Sequence, residues 1–246
     1  MNCRQRRFFS RESLFNSKST STGDSGWRQL SRLFLPLLAA FLYSSPAFPE
    51  ISATKNISNF SQDQLNGWQE KDFRGKTSYQ VIELDGERVL QAISRNSASG
   101  LYKKIRIDLH KYPYLNWRWR IENRIETDDE RTRAGDDYAA RIYLVVDGGL
   151  LFWKTRALSY VWAKQAEKGT VWNNAYAGKS ARMMALKSAL DSTAAWYTEK
   201  RNVYEDLKQV FGEDIPAIDA VALMTDTDDS GSSALSYYAE IYFSAE

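Results

Sequence analysis

From residue 79 onward the chain falls into short runs in which apolar and polar side chains alternate, the period of a strand with one buried face. "YQVIEL" (79–84) and "RVLQAIS" (88–94) flank "DGE", a hairpin turn signal. "LYKKIRIDL" (101–109) continues the pattern. "YLNWRWRIE" (114–122) puts Leu115, Trp117, Trp119 and Ile121 on one face and Asn116, Arg118, Arg120 and Glu122 on the other. "YAARIYLVVD" (138–147) puts Tyr138, Ala140, Ile142, Leu144 and Val146 on one face, with Arg141 and Tyr143 opposite. "LSYVWA" (158–163), "RMMALKS" (182–188), "IDAVALMT" (218–225) and "SYYAEIYF" (236–243) bring the expectation to nine or ten strands.

One stretch changes period. In "NVYEDLKQVFG", Asn202 stands as N-cap with Glu205 three positions on, a capping-box arrangement. Val203, Leu207, Val210 and Phe211 recur at helical spacing, and Gly212 ends the run. Many short strands and one helix predict an all-β fold: a jelly-roll-like antiparallel β-sandwich with one short surface helix. Two irregular intervals break the strand pattern. Residues 122–137 read as a charged, solvated loop, and residues 164–180 carry Trp172, Asn173, Asn174 and Tyr176.

The start of the chain reads differently. Residues 1–47 carry a basic stretch, an apolar run Leu33–Tyr43 broken by Pro36, and small residues Ser45 and Ala47, the order of an export signal. That run is short of the roughly 20 residues a membrane helix needs. The expectation is a signal segment over 1–47, a single domain over 48–246, a periplasmic or secreted location and no membrane span once the signal is removed. The chain holds 33 Lys+Arg and 31 Asp+Glu, a net charge of +2. Residues 1–47 hold 7 basic and 2 acidic groups, so the remainder carries 26 against 29, a net −3. The basic balance thus sits in the leader and gives no reason to expect nucleic acid. Cys3 is the only cysteine and His110 the only histidine, so thiolate metal sites, disulfides and His-based triads are out of reach in the domain. There is no phosphate-binding glycine loop.

The candidate chemistry is therefore carboxylate, aromatic and guanidinium chemistry. "MTDTDDSG" (224–231) spaces Asp226, Asp228, Ser230 and Gly231 like the first half of a calcium loop, but Tyr237 stands where a bidentate Glu belongs. Either it is a strand-connecting turn, or Asp226, Asp228 and Ser230 hold calcium. Asp136 and Asp137 precede Arg141; they either pair with Arg118, Arg120 or Arg141, or one of them faces Asp228 or Glu240 as half of a hydrolytic pair. Trp172 with Asn173 and Asn174 suits a sugar ring, whose C–H face stacks while its hydroxyls meet planar polar groups. The expected ligand surface groups Arg118, Arg120, Arg141 and Tyr143 on one sheet face, rimmed by Trp162, Trp172, Asn173 and Asn174, with Asp136, Asp137 and Glu240 in reach. Its partner would be a glycan or another envelope component. The competing readings are a polysaccharide hydrolase built on Glu240 or Asp228 with Asp136 or Asp137, a lyase using Tyr143 as base and Arg141 to steady charge, and a structural envelope protein with no small ligand.

Six blocks in order, "SASGLYKKIRID", "YPYLNWRWRIE", "GDDYAARIYLV", "YVWA", "EKRNVYEDLKQVFG" and "MTDTDDSGSSALSYYAEIYF", resemble the exported bacterial proteins of domain-of-unknown-function family 3047. That resemblance implies one exported domain and supplies no catalytic residues. The closing pair "IDAVALM…SYYAEIYF" is also similar to galactose-binding-like jelly-roll modules, which implies carbohydrate binding on a concave face or loop rim, sometimes with a structural calcium. Where that pattern often has two acids in its last strand, this chain has Glu240 alone.

Overall fold

The computed structural model describes residues 54–58, 60, 65–126, 128–150 and 154–246. The expected export signal, residues 1–47, lies outside them. Among the described residues, thirteen strands form two sheets packed face to face. The first sheet runs β11 (Tyr197–Asn202), β6 (Tyr114–Ile121), β13 (Ser233–Ser244), β4 (Glu87–Arg95), β3 (Ser78–Leu84), and β1 (Thr54–Asn56) adds to the end of β13. The second runs β2 (Trp68–Arg74), β5 (Ala98–Asp108), β12 (Ala217–Asp226), β7 (Arg141–Val146), β8 (Arg156–Trp162), β10 (Gly178–Lys187), β9 (Val171–Asn174). This is the β-sandwich that the alternation predicts.

The inner faces supply the core. Trp117 and Trp119 are fully buried. Trp117 stacks on Tyr160 of the opposite sheet with centroids 5.4 Å apart, and Trp119 meets Trp162 at 5.9 Å. Ring-on-ring contact of this kind adds to the area each indole removes from water. The indole N–H of Trp119 donates to Glu199 of β11 at 3.3 Å, so the ring's one polar atom is served inside the core. The β3–β4 hairpin turns through Asp85 and Gly86, both at positive φ, as a tight hairpin requires. Helix α1 (Val203–Phe211) starts where its capping residue predicts. Asn202 accepts from the Glu205 N–H, and Gly212 closes the helix in the left-handed conformation. Val203 and Leu207 turn into the core.

Four expectations need correction. Among the described residues every ladder is antiparallel except β8–β10, which is parallel because the β9–β10 hairpin folds β10 back between β9 and β8. β2, β9 and β11 were not legible as strands; they are sheet edges, short or charged, and an edge strand has no need of the apolar alternation that a central one carries. The interval 122–137 is not simply solvated: Glu130, Asp136 and Asp137 within it are buried. The Glu130 carboxylate accepts backbone N–H groups from Lys164, Gln165 and Ala166 and pins the two irregular intervals together. Arg141 and Tyr143 do lie opposite Ile142 and Leu144, but both are buried. The outer face of the seven-stranded sheet has its own apolar cluster of Tyr143, Val145, Ala220, Ala222, Met224 and Tyr102.

Candidate functional site

Arg141 opens β7 and Asp226 closes β12, the strand beside it. Both are fully buried, and Arg141 Nη2 donates to Asp226 Oδ2. The guanidinium lies between the rings of Tyr138 and Tyr143, 5.1 and 5.2 Å from their centroids. The backbone locks the same junction. Asp226 N–H donates to the Tyr138 carbonyl, and Tyr138 N–H donates to Asp226 Oδ1 at 3.2 Å. Two segments 88 positions apart are thereby fixed side by side.

Further carboxylates gather on this pair. Asp137 accepts the N–H groups of Asp229 and Ser230 at 3.2 and 2.6 Å, so it shapes the loop between β12 and β13. Asp136 accepts both its bonds from the Asn174 amide, at 3.3 and 3.2 Å. Asp229 accepts from the Tyr176 hydroxyl at 2.7 Å. Arg74 of β2 donates to the Asp228 carbonyl at 2.6 Å. Among the described residues, Asp228 Oδ1 is a buried acceptor that meets no donor, and Arg141 Nε and Nη1 are buried donors that meet no acceptor. One oxygen each from Asp137, Asp226 and Asp228 lie within 4.8 Å of one another. An open depression lined by Glu126, Asp128, Ala134, Lys164, Asp229 and Ser230 adjoins the loop.

Crowding and burial set the protonation. Burial pushes the Asp136 carboxyl up to about 7, with Asp229 and Asp137 adding to the rise and Arg141 opposing it. Burial pushes Asp228 up to about 6, helped by the Asp229 and Asp137 charges. Burial also raises the Tyr143 phenol well above its ordinary value, against the pull of Arg141. Five carboxylates around one buried guanidinium leave an excess of negative charge, which the site relieves by holding protons or a cation. Its oxygen ligands suit a hard ion such as calcium.

The structure brings together Asp136, Asp137, Arg141, Tyr143, Asn174, Asp226 and Asp228, and it separates the rest. The expected single face is divided, because β6 and β7 belong to different sheets. Arg118, Arg120 and Glu240 lie around the outer face of the six-stranded sheet. Trp162 is core, against Trp119 and Tyr197. Trp172 is buried with Tyr138, Val161 and Met183, while Asn173 next to it is exposed, so the three residues 172–174 form no shared sugar platform. In the expected calcium set, the Ser230 hydroxyl pairs with Ser232 at 2.6 Å and its N–H goes to Asp137, and Asp137 joins Asp226 and Asp228 as the third oxygen donor. Glu240 is in the wrong sheet to pair with Asp136 or Asp137. Sequence reasoning noted Tyr176 and Trp196 only as loop or strand-end aromatics, and it missed Tyr138 as a stacking partner and Asp229 as a member of the site. Of the two missed, only Asp229, inside the acidic run, carried a signal.

A two-sheet β-sandwich with a buried acid–guanidinium junction at one loop is the class these features define. The chain belongs to the family described as Protein of unknown function (DUF3047), whose pattern matches residues 66–242. No curated protein matches it. Among solved structures, it is similar to the family 11 carbohydrate-binding module of a cellulosomal cellulase of Clostridium thermocellum, at 9% identity and TM-score 0.42, over 79% of this chain and 97% of that one. A thermostable variant of the Rhodothermus marinus cellulase is similar at 10% identity and TM-score 0.43, over 76% and 93%. Endoglucanase 3 of Trichoderma harzianum is similar at 9% identity and TM-score 0.37, over 78% and 98%. Likenesses this distant carry no argument about a ligand. No helix among the described residues is long and apolar enough to cross a membrane.

A carboxyl whose pKa is raised by folding binds its proton more tightly in the folded state, so its stabilising contribution is whole near pH 4 and is lost as pH rises. For Asp228 and Asp136 that loss falls as pH passes through about 6 and about 7. With a chelator present, the stability of the wild type relative to Asp136→Asn should therefore decline between about pH 4 and about pH 7. Urea unfolding of both proteins at several pH values measures it, and a relative stability that rises with pH contradicts the assignment.

Proposed function

We propose that the protein is an exported, non-catalytic module that binds a glycan or another hydroxyl-rich component of the cell envelope. The observation that carries this reading is the outer face of the six-stranded sheet. There the Arg118 guanidinium lies 4.9 Å from the Trp196 ring and that of Arg120 lies 5.7 Å from the Tyr237 ring. Trp196 is partly exposed, and Tyr237 is buried beside it. Rings and planar hydrogen-bonding groups side by side suit pyranose recognition. The enzymatic readings fit less well. Tyr143, the lyase base, holds its proton more tightly than a free phenol and is buried. Both oxygens of Asp137 are committed to the N–H groups of the 229–230 backbone.

A second reading concerns the loop and rests on Asp228 Oδ1, the buried acceptor that no donor among the described residues serves. Asp137, Asp226 and Asp228 would hold a calcium ion there, neutralising the carboxylate excess and fixing the β12–β13 connection.

Two outcomes follow. The protein should be retained on purified envelope polysaccharide in a pull-down, and Arg120→Ala combined with Trp196→Ala should abolish retention; retention unchanged in the double variant removes this face from the account. Calcium should raise the midpoint of thermal unfolding, with a stabilisation of about 2.7 kcal/mol at a hundredfold excess over Kd. Asp228→Asn should remove that response, and a wild type indifferent to calcium leaves the loop a turn.

A further inference from the structure

The face around Trp196 and Tyr237 carries one backbone feature, at Glu240, that no tight turn requires. Among the described residues, Asp85, Asn96, Ala194 and Glu240 are the non-glycine residues at positive φ, and three of the four border this face. Asp85 sits in the hairpin turn and pairs with Arg120 at 3.3 Å. Ala194, at φ 56, shapes the turn just before Trp196, and its N–H donates to the Ile121 carbonyl at 2.7 Å. Glu240, at φ 51, lies where the register of β13 against β6 shifts between Ala239 and Tyr242. A left-handed conformation is unfavourable for an L-residue with a Cβ, and glycine is the usual occupant of such a bulge. The bulge has a directional effect. Tyr238 and Ile241 both point into the core, so the extra residue between them is what leaves Glu240 on the outside. There its carboxylate stands 3.6 Å from Arg118, with a side chain 59% exposed. Arg118 is already paired with Glu87 at 2.7 Å, so its charge is met without Glu240. Strain kept where the fold gains little from it points to a ligand.

The charges say which ligand. Arg118 and Arg120 face Glu87, Glu240, Asp85 and Glu122, two cations against four carboxylates, so the patch repels a polyanion. Gln91 adds an amide beside the Tyr237 hydroxyl at 3.5 Å. Resting on the glycan reading above, we propose that this face binds a neutral polysaccharide. Trp196 provides the apolar surface, with the buried Tyr237 beside it supporting the Arg120 guanidinium, and Glu240 is the strained acceptor that takes a sugar hydroxyl and holds Arg118 toward the chain.

The experiment measures binding of the wild type to two panels: neutral glucans, xylans and mannans, and the anionic polymers polygalacturonate and alginate. It then repeats the measurement on Glu240→Gly and Trp196→Ala. Binding to a neutral polymer is expected, with none to the anionic panel. Glu240→Gly should relieve the backbone and raise the thermal midpoint, yet weaken binding by about tenfold or more. A purely structural Glu240 would not split stability from affinity in this way. A wild type that binds neither panel overturns the glycan reading itself, and this inference with it. Preference for the anionic panel, or variants that bind a neutral polymer as the wild type does, leaves glycan binding standing and overturns this site and its ligand class.

Discussion

The pairing of Arg141 with Asp226 inside the seven-stranded sheet is the constraint on which the loop end of this molecule depends. Removing two charges from water costs several kcal/mol for each ion, and attraction repays it only where geometry and further bonds are good. Here the guanidinium is clasped by two tyrosine rings, and the carboxylate takes a second bond from the Tyr138 N–H. The gain is positional. The pair ties the start of β7 to the end of β12, and Asp136, Asp137 and the 227–232 loop take their places from that junction. Without it, the carboxylates collected there would have no cation at their centre.

This junction explains why the acidic loop is both a turn and a candidate ion site. Asp137 does the work of a turn, accepting two backbone N–H groups. The same carboxylate also brings an oxygen within reach of Asp226 and Asp228. The two readings, exclusive when only the local spacing is considered, become one arrangement when the partner residue comes from a distant segment. The other face of the sandwich is chemically separate. Its guanidiniums, largely covered themselves, pair with acids that are exposed.

Local rules reached some of this from the sequence. Trp117 and Trp119 are core because the run around them alternates cleanly and the strand between β11 and β13 is buried on its inner face. Asn202 and Gly212 bound the helix because capping is chemistry of adjacent residues. What was not legible is what depends on pairing between distant strands. Alternation showed that Arg118 and Arg141 each oppose an apolar face, but not that β6 and β7 lie in different sheets. It offered Asp136 or Asp137 facing Asp228 as one reading among several, but not the backbone bond from Asp226 to Tyr138 that sets the two motifs side by side. It could not foresee the bulge that turns Glu240 outward, since a register shift leaves no mark in composition. The edge strands β2, β9 and β11 escaped for a related reason, having at most one sheet neighbour on one side to demand a pattern.

The central claim is that Arg141 and Asp226 act as one unit. A double-mutant cycle on Arg141→Met and Asp226→Leu, read by urea unfolding, tests it most directly. Each single change should cost about 3–5 kcal/mol by stranding a buried charge, and the double variant, which strands neither, should cost well under their sum. Single changes that cost little, or a double variant whose loss equals the two added together, would contradict the account.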